Sequence, residues 1–235
     1  MNNYSSQERK RALSGLNTFL TKMYGFMTLA VLVSALTACL TMTVFAQQVL
    51  TYFTNHQAMV WVLLLVPIAL SMGISFKATR NPVASFIMLM AISIIYGLEF
   101  ALIAGVYTQT QIASAFVSSA GVFAAMAIYG SVTKRSLDNA GAYASAALIG
   151  LLVAWLINMF LRSAAVAYVF SFIAVIIFTV LTAWDAKKMR QIYEQFGDQV
   201  SVDGLAVLGA MQLYLDFVNL FLQFLQIFGM SDSRN

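Results

Sequence analysis

The sequence predicts an all-α integral membrane protein, a bundle of seven transmembrane helices forming one domain. Three observations carry that expectation. The 235 residues are 61% hydrophobic and only 9% charged, against about 25% charged in ordinary soluble domains, and mean hydropathy is +0.82. The apolar residues gather into runs close to the length of about 20 residues that a helix needs to cross a bilayer. The basic residues fall between those runs, mostly in every second connection, the signature of a chain threaded by the positive-inside rule. Two prolines and the lack of an alternating ten-residue pattern argue against an outer-membrane barrel.

Taken in order, residues 1–22 read as a polar, basic cytoplasmic tail, MNNYSSQERKRALSGLNTFLTK. No short apolar region with a small-residue cleavage site stands out there, so the first span is expected to serve as its own insertion signal. The transmembrane domain follows over 23–229, and 230–235 form a short external tail. The spans are expected at 25–46, at 58–76 with Pro67 inside, and at 83–106, 112–132, 141–161, 164–184 and 205–229. The break between the third and fourth is short and uncharged. The link Arg162–Ser163 between the fifth and sixth is tight enough to demand an antiparallel hairpin.

Eleven Lys and Arg residues fall on one side of this arrangement: Arg9, Lys10, Arg11, Lys22, Lys77, Arg80, Lys134, Arg135, Lys187, Lys188 and Arg190. Arg162 and Arg234 fall on the other. The N-terminus is therefore expected in the cytoplasm and the C-terminus outside, which requires an odd number of spans. His56 then lies in an external, solvated loop. Spans four and five are rich in Gly, Ala and Ser, which let helix backbones approach closely.

Composition also excludes chemistry. Cys39 is the one cysteine and His56 the one histidine, so neither a disulfide nor a Cys/His metal cluster is available, and no resident cofactor is expected. A net charge of +4 is spent on membrane orientation and is no nucleic-acid signal.

The polar residues inside the spans are few. Gln212, Asp216, Asn219, Gln223 and Gln226 follow a 4-3-4-3 spacing, which places them in an arc of about 80° on one helix face. An aspartate facing lipid costs several kcal/mol, so this stripe must face protein or water. Two more acids lie in or at the edge of spans. Glu99 sits near the middle of the third, and Asp185 ends the sixth, just before Lys187 and Lys188. Asp216 lies roughly 17 Å into the last span, whereas Asp185 sits near the cytoplasmic end of the preceding one. Contact between them requires the sixth helix to sit higher, or the seventh to begin nearer Val200.

The segment LYLDFVNLFLQFLQIFG resembles the last helix of the Bax inhibitor family of membrane proteins, in its bacterial form. AIYGSVTKRSLDNAGAYASAALIGLLVAWLINMF and TAWDAKKMRQIY fit in order and spacing, and the likeness covers 18–229. It implies a seven-helix bundle with the last helix central, and a pH-sensitive calcium leak in the bacterial plasma membrane. It further implies an aspartate pair on the last two helices as sensor and gate, here Asp185 and Asp216, which would also hold a transient calcium ion. A basic latch near the end of the second helix matches Arg80, or Lys77. The family's second-helix glutamate is missing from VPIALSMGIS, and Glu99 is its nearest substitute. Glu99, Gln212, Asn219 and Gln223 are the candidate pore-lining groups.

Two carboxyls in contact in a low dielectric resist ionising together and titrate as a pair. One shared proton can clamp their helices, and its loss leaves a site for a cation such as calcium. The expected partners are thus the lipid bilayer, calcium and protons. No enzyme is expected. A Ser/His intramembrane protease needs a buried histidine, the YD and GxGD settings of aspartyl intramembrane proteases are missing, and a retinal protein needs a lysine in the last span. The alternative reading is a regulator of membrane stress or of a membrane protease acting by protein contact, with 2–14 as the contact segment. A proton-coupled transporter is a further one, marked by saturable uptake.

Overall fold

The computed structural model describes residues 6–232, with side chains for 13–230. Arg234 and the start of the proposed contact segment 2–14 lie outside the described residues, as do the side chains of Arg9, Lys10 and Arg11. Among the described residues eight helices run in order: α1 (Ser6–Thr43), α2 (Ala46–Asn55), α3 (Ala58–Lys77), α4 (Pro82–Ala104), α5 (Gln109–Val132), α6 (Asp138–Leu161), α7 (Ala164–Phe196) and α8 (Val202–Asp232). Seven of them, all but α2, are long and apolar enough to cross a membrane. They are the seven expected spans, and no strand occurs among the described residues.

Local chemistry marks their ends. Asn81 Oδ1 accepts from the Ala84 amide at 3.0 Å ahead of Pro82, whose missing N–H is harmless in a first turn. Thr108 and Gln111 form a reciprocal capping box at the start of α5, which makes the short, uncharged break before it definite. Ser163 and Ser201 hydroxyls accept from the Val166 and Gly204 amides. Between α6 and α7, Arg162 takes a left-handed conformation with φ 51°, and Asn158 Nδ2 donates to the Ser163 carbonyl at 3.2 Å. That is how two residues reverse the chain.

Three features depart from the expected boundaries. First, α1 is 38 residues long and begins well before residue 25, so much of the expected tail is helical. Leu16, Phe19, Met23, Met27 and Ala30 are buried, and their 3-4-4-3 spacing is a core stripe running through a stretch too polar for hydropathy to find. Second, α7 runs about three turns past Trp184 to Phe196, carrying buried Met189. Third, the expected first loop contains α2, a ten-residue helix with no buried residue.

The chain divides into two compact units, one built on Met1–Ile103 with Met189–Tyr214, the other on Ala104–Lys188 with Leu215–Asn235. In the first, Phe19 stacks on Tyr193 with ring centroids 4.6 Å apart, and Lys22 meets Asp203 at 2.5 Å. The Tyr214 hydroxyl lies 2.5 Å from Ser34 Oγ, which lies 2.9 Å from the Ser93 carbonyl. Gly204 lies so near the Ala78 backbone that a Cβ would collide with it. In the second unit, Gly130 meets the Ala183 backbone and Gly141 the Trp184 ring in the same way. These glycines bring α5 and α6 onto α7. Phe116 and Phe123 pack edge-on against Phe217 with centroids 5.7 and 5.9 Å apart.

Burial is unequal among the spans. In the most apolar stretch of α8, 72% of residues are buried, against 6–28% for the other spans. On α6, Leu152, Val153, Trp155, Leu156, Ile157 and Phe160 are all exposed. Such apolar exposure suits hydrocarbon, not water. The molecule is an all-α membrane bundle embedded in lipid, with α8 as its buried helix.

Candidate functional site

The site grows from the length of α7 and the early start of α8. Asp185 lies about three turns before the end of α7, and Asp216 about four turns after the start of α8. The connection between these helices is only residues 197–201. The antiparallel pair therefore brings the two aspartates to similar depth, and a side-chain hydrogen bond joins their carboxyl groups. The expected depth mismatch came from ending the sixth span at Trp184. The basic run after it looked like loop but is helix.

Asp216 is 6% exposed, and its Oδ2 is buried without a hydrogen-bond partner. Asp185 is half-buried. The lysines beside it are placed differently. Lys187 is buried and donates to the Arg135 carbonyl between α5 and α6, so it ties a loop to α7. Lys188 Nζ lies 4.5 Å from the centroid of the Trp184 ring and within electrostatic reach of Asp185. Among the described residues neither lysine forms an ion pair with Asp185. That leaves the carboxyl–carboxyl bond as its direct polar contact.

A hydrogen bond between two carboxyls needs one proton between them. The pair can therefore hold a proton, or, once it is lost, offer adjacent carboxylate oxygens to a cation. No group of three or more His, Cys, Asp or Glu side chains suited to a metal occurs among the described residues. Calcium prefers six to eight oxygens, so a two-carboxylate site leaves most of its shell to water and backbone.

The rest of the α8 stripe has several uses. The Gln226 side-chain carbonyl accepts from Ser171 Oγ of α7 at 2.7 Å, a second polar tie along the same pair of helices. Asn219 donates to the Leu215 carbonyl one turn back at 2.8 Å. Gln223 is half-buried. Gln212 Oε1 is buried and unpartnered. On α4, Glu99 is 8% exposed, and its Oε1 has no partner. It lies within electrostatic reach of Tyr96 and Tyr214. Arg80 stands exposed in the turn after α3 and forms no ion pair among the described residues. Sequence reasoning did not single out Ser171, Ser34 or Tyr214. A serine in an apolar helix gives no signal of its partner, whereas Tyr214 lies two residues before Asp216 on a different face.

Known proteins share this chain's length and pattern. The family described as inhibitor of apoptosis-promoting Bax1 matches residues 16–233. Inner membrane protein YbhL of Escherichia coli K12 is 38% identical over 219 residues, covering 92% of this chain and 93% of that protein. An uncharacterised membrane protein of Streptococcus pyogenes serotype M1 is 37% identical over 218 residues, with 93% and 95% covered. An uncharacterised protein of Rickettsia prowazekii is 30% identical over 226 residues, with 96% and 94% covered. Since the match takes in every membrane-spanning helix and both aspartates of the pair, the chain belongs to the Bax inhibitor family.

Proposed function

We propose that this protein is a pH-sensitive cation leak channel of the bacterial plasma membrane, with calcium as a permeant ion and Asp185–Asp216 as sensor and gate. The observation that supports it most is the bond between those two carboxyls on adjacent long helices at the depth of the spans. With one proton bound the pair clamps α7 to α8. As pH rises through the apparent pKa of the pair, the proton leaves and two like charges face each other. The helices then part, or a cation takes the proton's place. A site of two carboxylates is weak for calcium and suits passage over storage.

In this reading Glu99, Gln212, Asn219 and Gln223 line the path, and the unpartnered Glu99 and Gln212 oxygens supply its spare acceptors. Arg80, in the turn after α3 and without an ion pair among the described residues, is the latch of this reading. The N-terminus lies in the cytoplasm and the C-terminus outside, and the protein is no enzyme.

Calcium flux in proteoliposomes between about pH 6 and 8 tests the proposal, with Asp185→Asn and Asp216→Asn beside the unaltered protein. Each substitution keeps size and hydrogen bonding but ends the sharing of a proton between two acids, so each is expected to flatten the pH profile. Unchanged pH dependence in both variants, in protein of normal thermal stability, overturns the assignment of the pair.

A further inference from the structure

The helix α2 is short, uncharged and two-faced. At 100° per residue Ala46, Val49, Leu50 and Phe53 occupy an arc of about 100°, while Gln47, Gln48, Thr51, Thr54 and Asn55 fill the opposite side. None of its residues is buried, and Leu50 is 61% exposed. Val49 and Phe53 are half-buried, so the protein covers only part of the apolar face and leaves Leu50 bare. Its surroundings are of the same kind: Val44 and Phe45 before it, and Trp61 after it, are 57%, 50% and 64% exposed. Tyr52, at the seam between the two faces, stacks on His56 with centroids 4.7 Å apart.

We infer that α2 is a membrane-surface helix, lying in the lipid–water interface with Val49, Leu50 and Phe53 against the acyl chains and its amide and hydroxyl face in water. Three features favour lipid as the occupant. Two-residue links, Val44–Phe45 and His56–Gln57, tie α2 to the ends of the membrane-spanning helices α1 and α3. Such links reach less than about 10 Å, so α2 is held at the bilayer surface. Its flanks present aromatic rings, which settle at headgroup level. An apolar face opposed to a polar one with low overall hydrophobicity is the build of an interfacial helix. The segment 44–57 has no Asp, Glu, Lys or Arg, so the attachment is hydrophobic and independent of anionic lipid and salt. This differs from the basic interfacial helices that read surface charge.

Spin labels on the full-length protein test the inference. Single cysteines at Leu50, Phe53, Thr51 and Asn55, made in a Cys39→Ser background and reconstituted in phosphatidylcholine vesicles, report depth by collision with oxygen and with a water-soluble nickel complex. Labels at Leu50 and Phe53 are expected to meet oxygen and little nickel, those at Thr51 and Asn55 the reverse. The pattern should survive high salt and the addition of anionic lipid. Nickel access at all four positions would mean a solvated loop and would overturn the proposal. Shielding of Leu50 and Phe53 from both agents would also overturn it, because protein, a second copy included, would then cover the face.

Discussion

Under the proposed function Asp216 either holds a proton or helps to hold a cation, and the two would compete for the same oxygens. Calcium needs deprotonated carboxylates. Protons would therefore weaken calcium at such a pair as pH falls, by up to about tenfold per pH unit for each proton displaced. The calcium concentration giving half-maximal flux is expected to rise between pH 8 and pH 6, and Asp216→Asn should remove most of that rise. A half-saturation point that ignores pH in the unaltered protein would show that calcium does not use these carboxyls. At this scale the sequence was informative where charge cost is high. An aspartate inside an apolar segment, on one face with four amides, had to face inward, and it does. The Gln226 tie to Ser171 was not legible, because a small hydroxyl in a greasy helix is compatible with many neighbours. Contact of Asp185 with Asp216 was not legible either. It depends on where α7 stops, which hydropathy does not report.

Elements were read well where lipid decides and poorly where protein does. Seven spans appeared as seven helices because every spanning segment must satisfy its own backbone in hydrocarbon. The N-terminal part of α1 and the last turns of α7 escaped notice because they are polar enough to look like loops. Their helicity comes from packing, Phe19 on Tyr193 being one such contact. The small-residue runs of spans four and five predict close-packing surfaces, and Gly130 and Gly141 are such points. At Gly130 an added Cβ would strike the Ala183 backbone, which no rotamer change can relieve. Gly130→Ala is thus expected to destabilise by about 1–3 kcal/mol, the usual range for overpacking, seen as a lower thermal midpoint in detergent. Gly150 has nothing within 4 Å of its added Cβ, so Gly150→Ala should leave the midpoint unchanged or slightly raise it. Equal midpoints for the two variants would mean that α5 does not rest on α7 at this glycine.

On the scale of the whole molecule, the threading of the chain has a direction, which the charge count predicts, and a parity, on which the contacts bear. The basic residues divide eleven against two along the sequence, which predicts a cytoplasmic N-terminus. The contacts add a condition that the charge count does not contain. Phe19 near the start of α1 stacks on Tyr193 near the end of α7, and Lys22 pairs with Asp203 at the start of α8. Residues 19–22 of α1 and the α7–α8 connection therefore lie on one side of the membrane, as an odd number of spans before the last one excludes and an even number demands. With α2 left out of the count, six spans separate those points, so the parity holds. Were α2 a crossing helix, it would fail. Alkaline phosphatase, which folds only after export, is expected to be active when fused after the last residue and inactive when fused at Lys134 between α5 and α6. Green fluorescent protein should give the opposite result at both points. An active phosphatase at Lys134 would invert the charge-derived orientation while leaving the parity intact. Equal activity at both points would mean that α6, α7 and α8 do not make three crossings between them, and would overturn the proposal that α8 enters the membrane from the cytoplasm carrying Asp216 towards the outside.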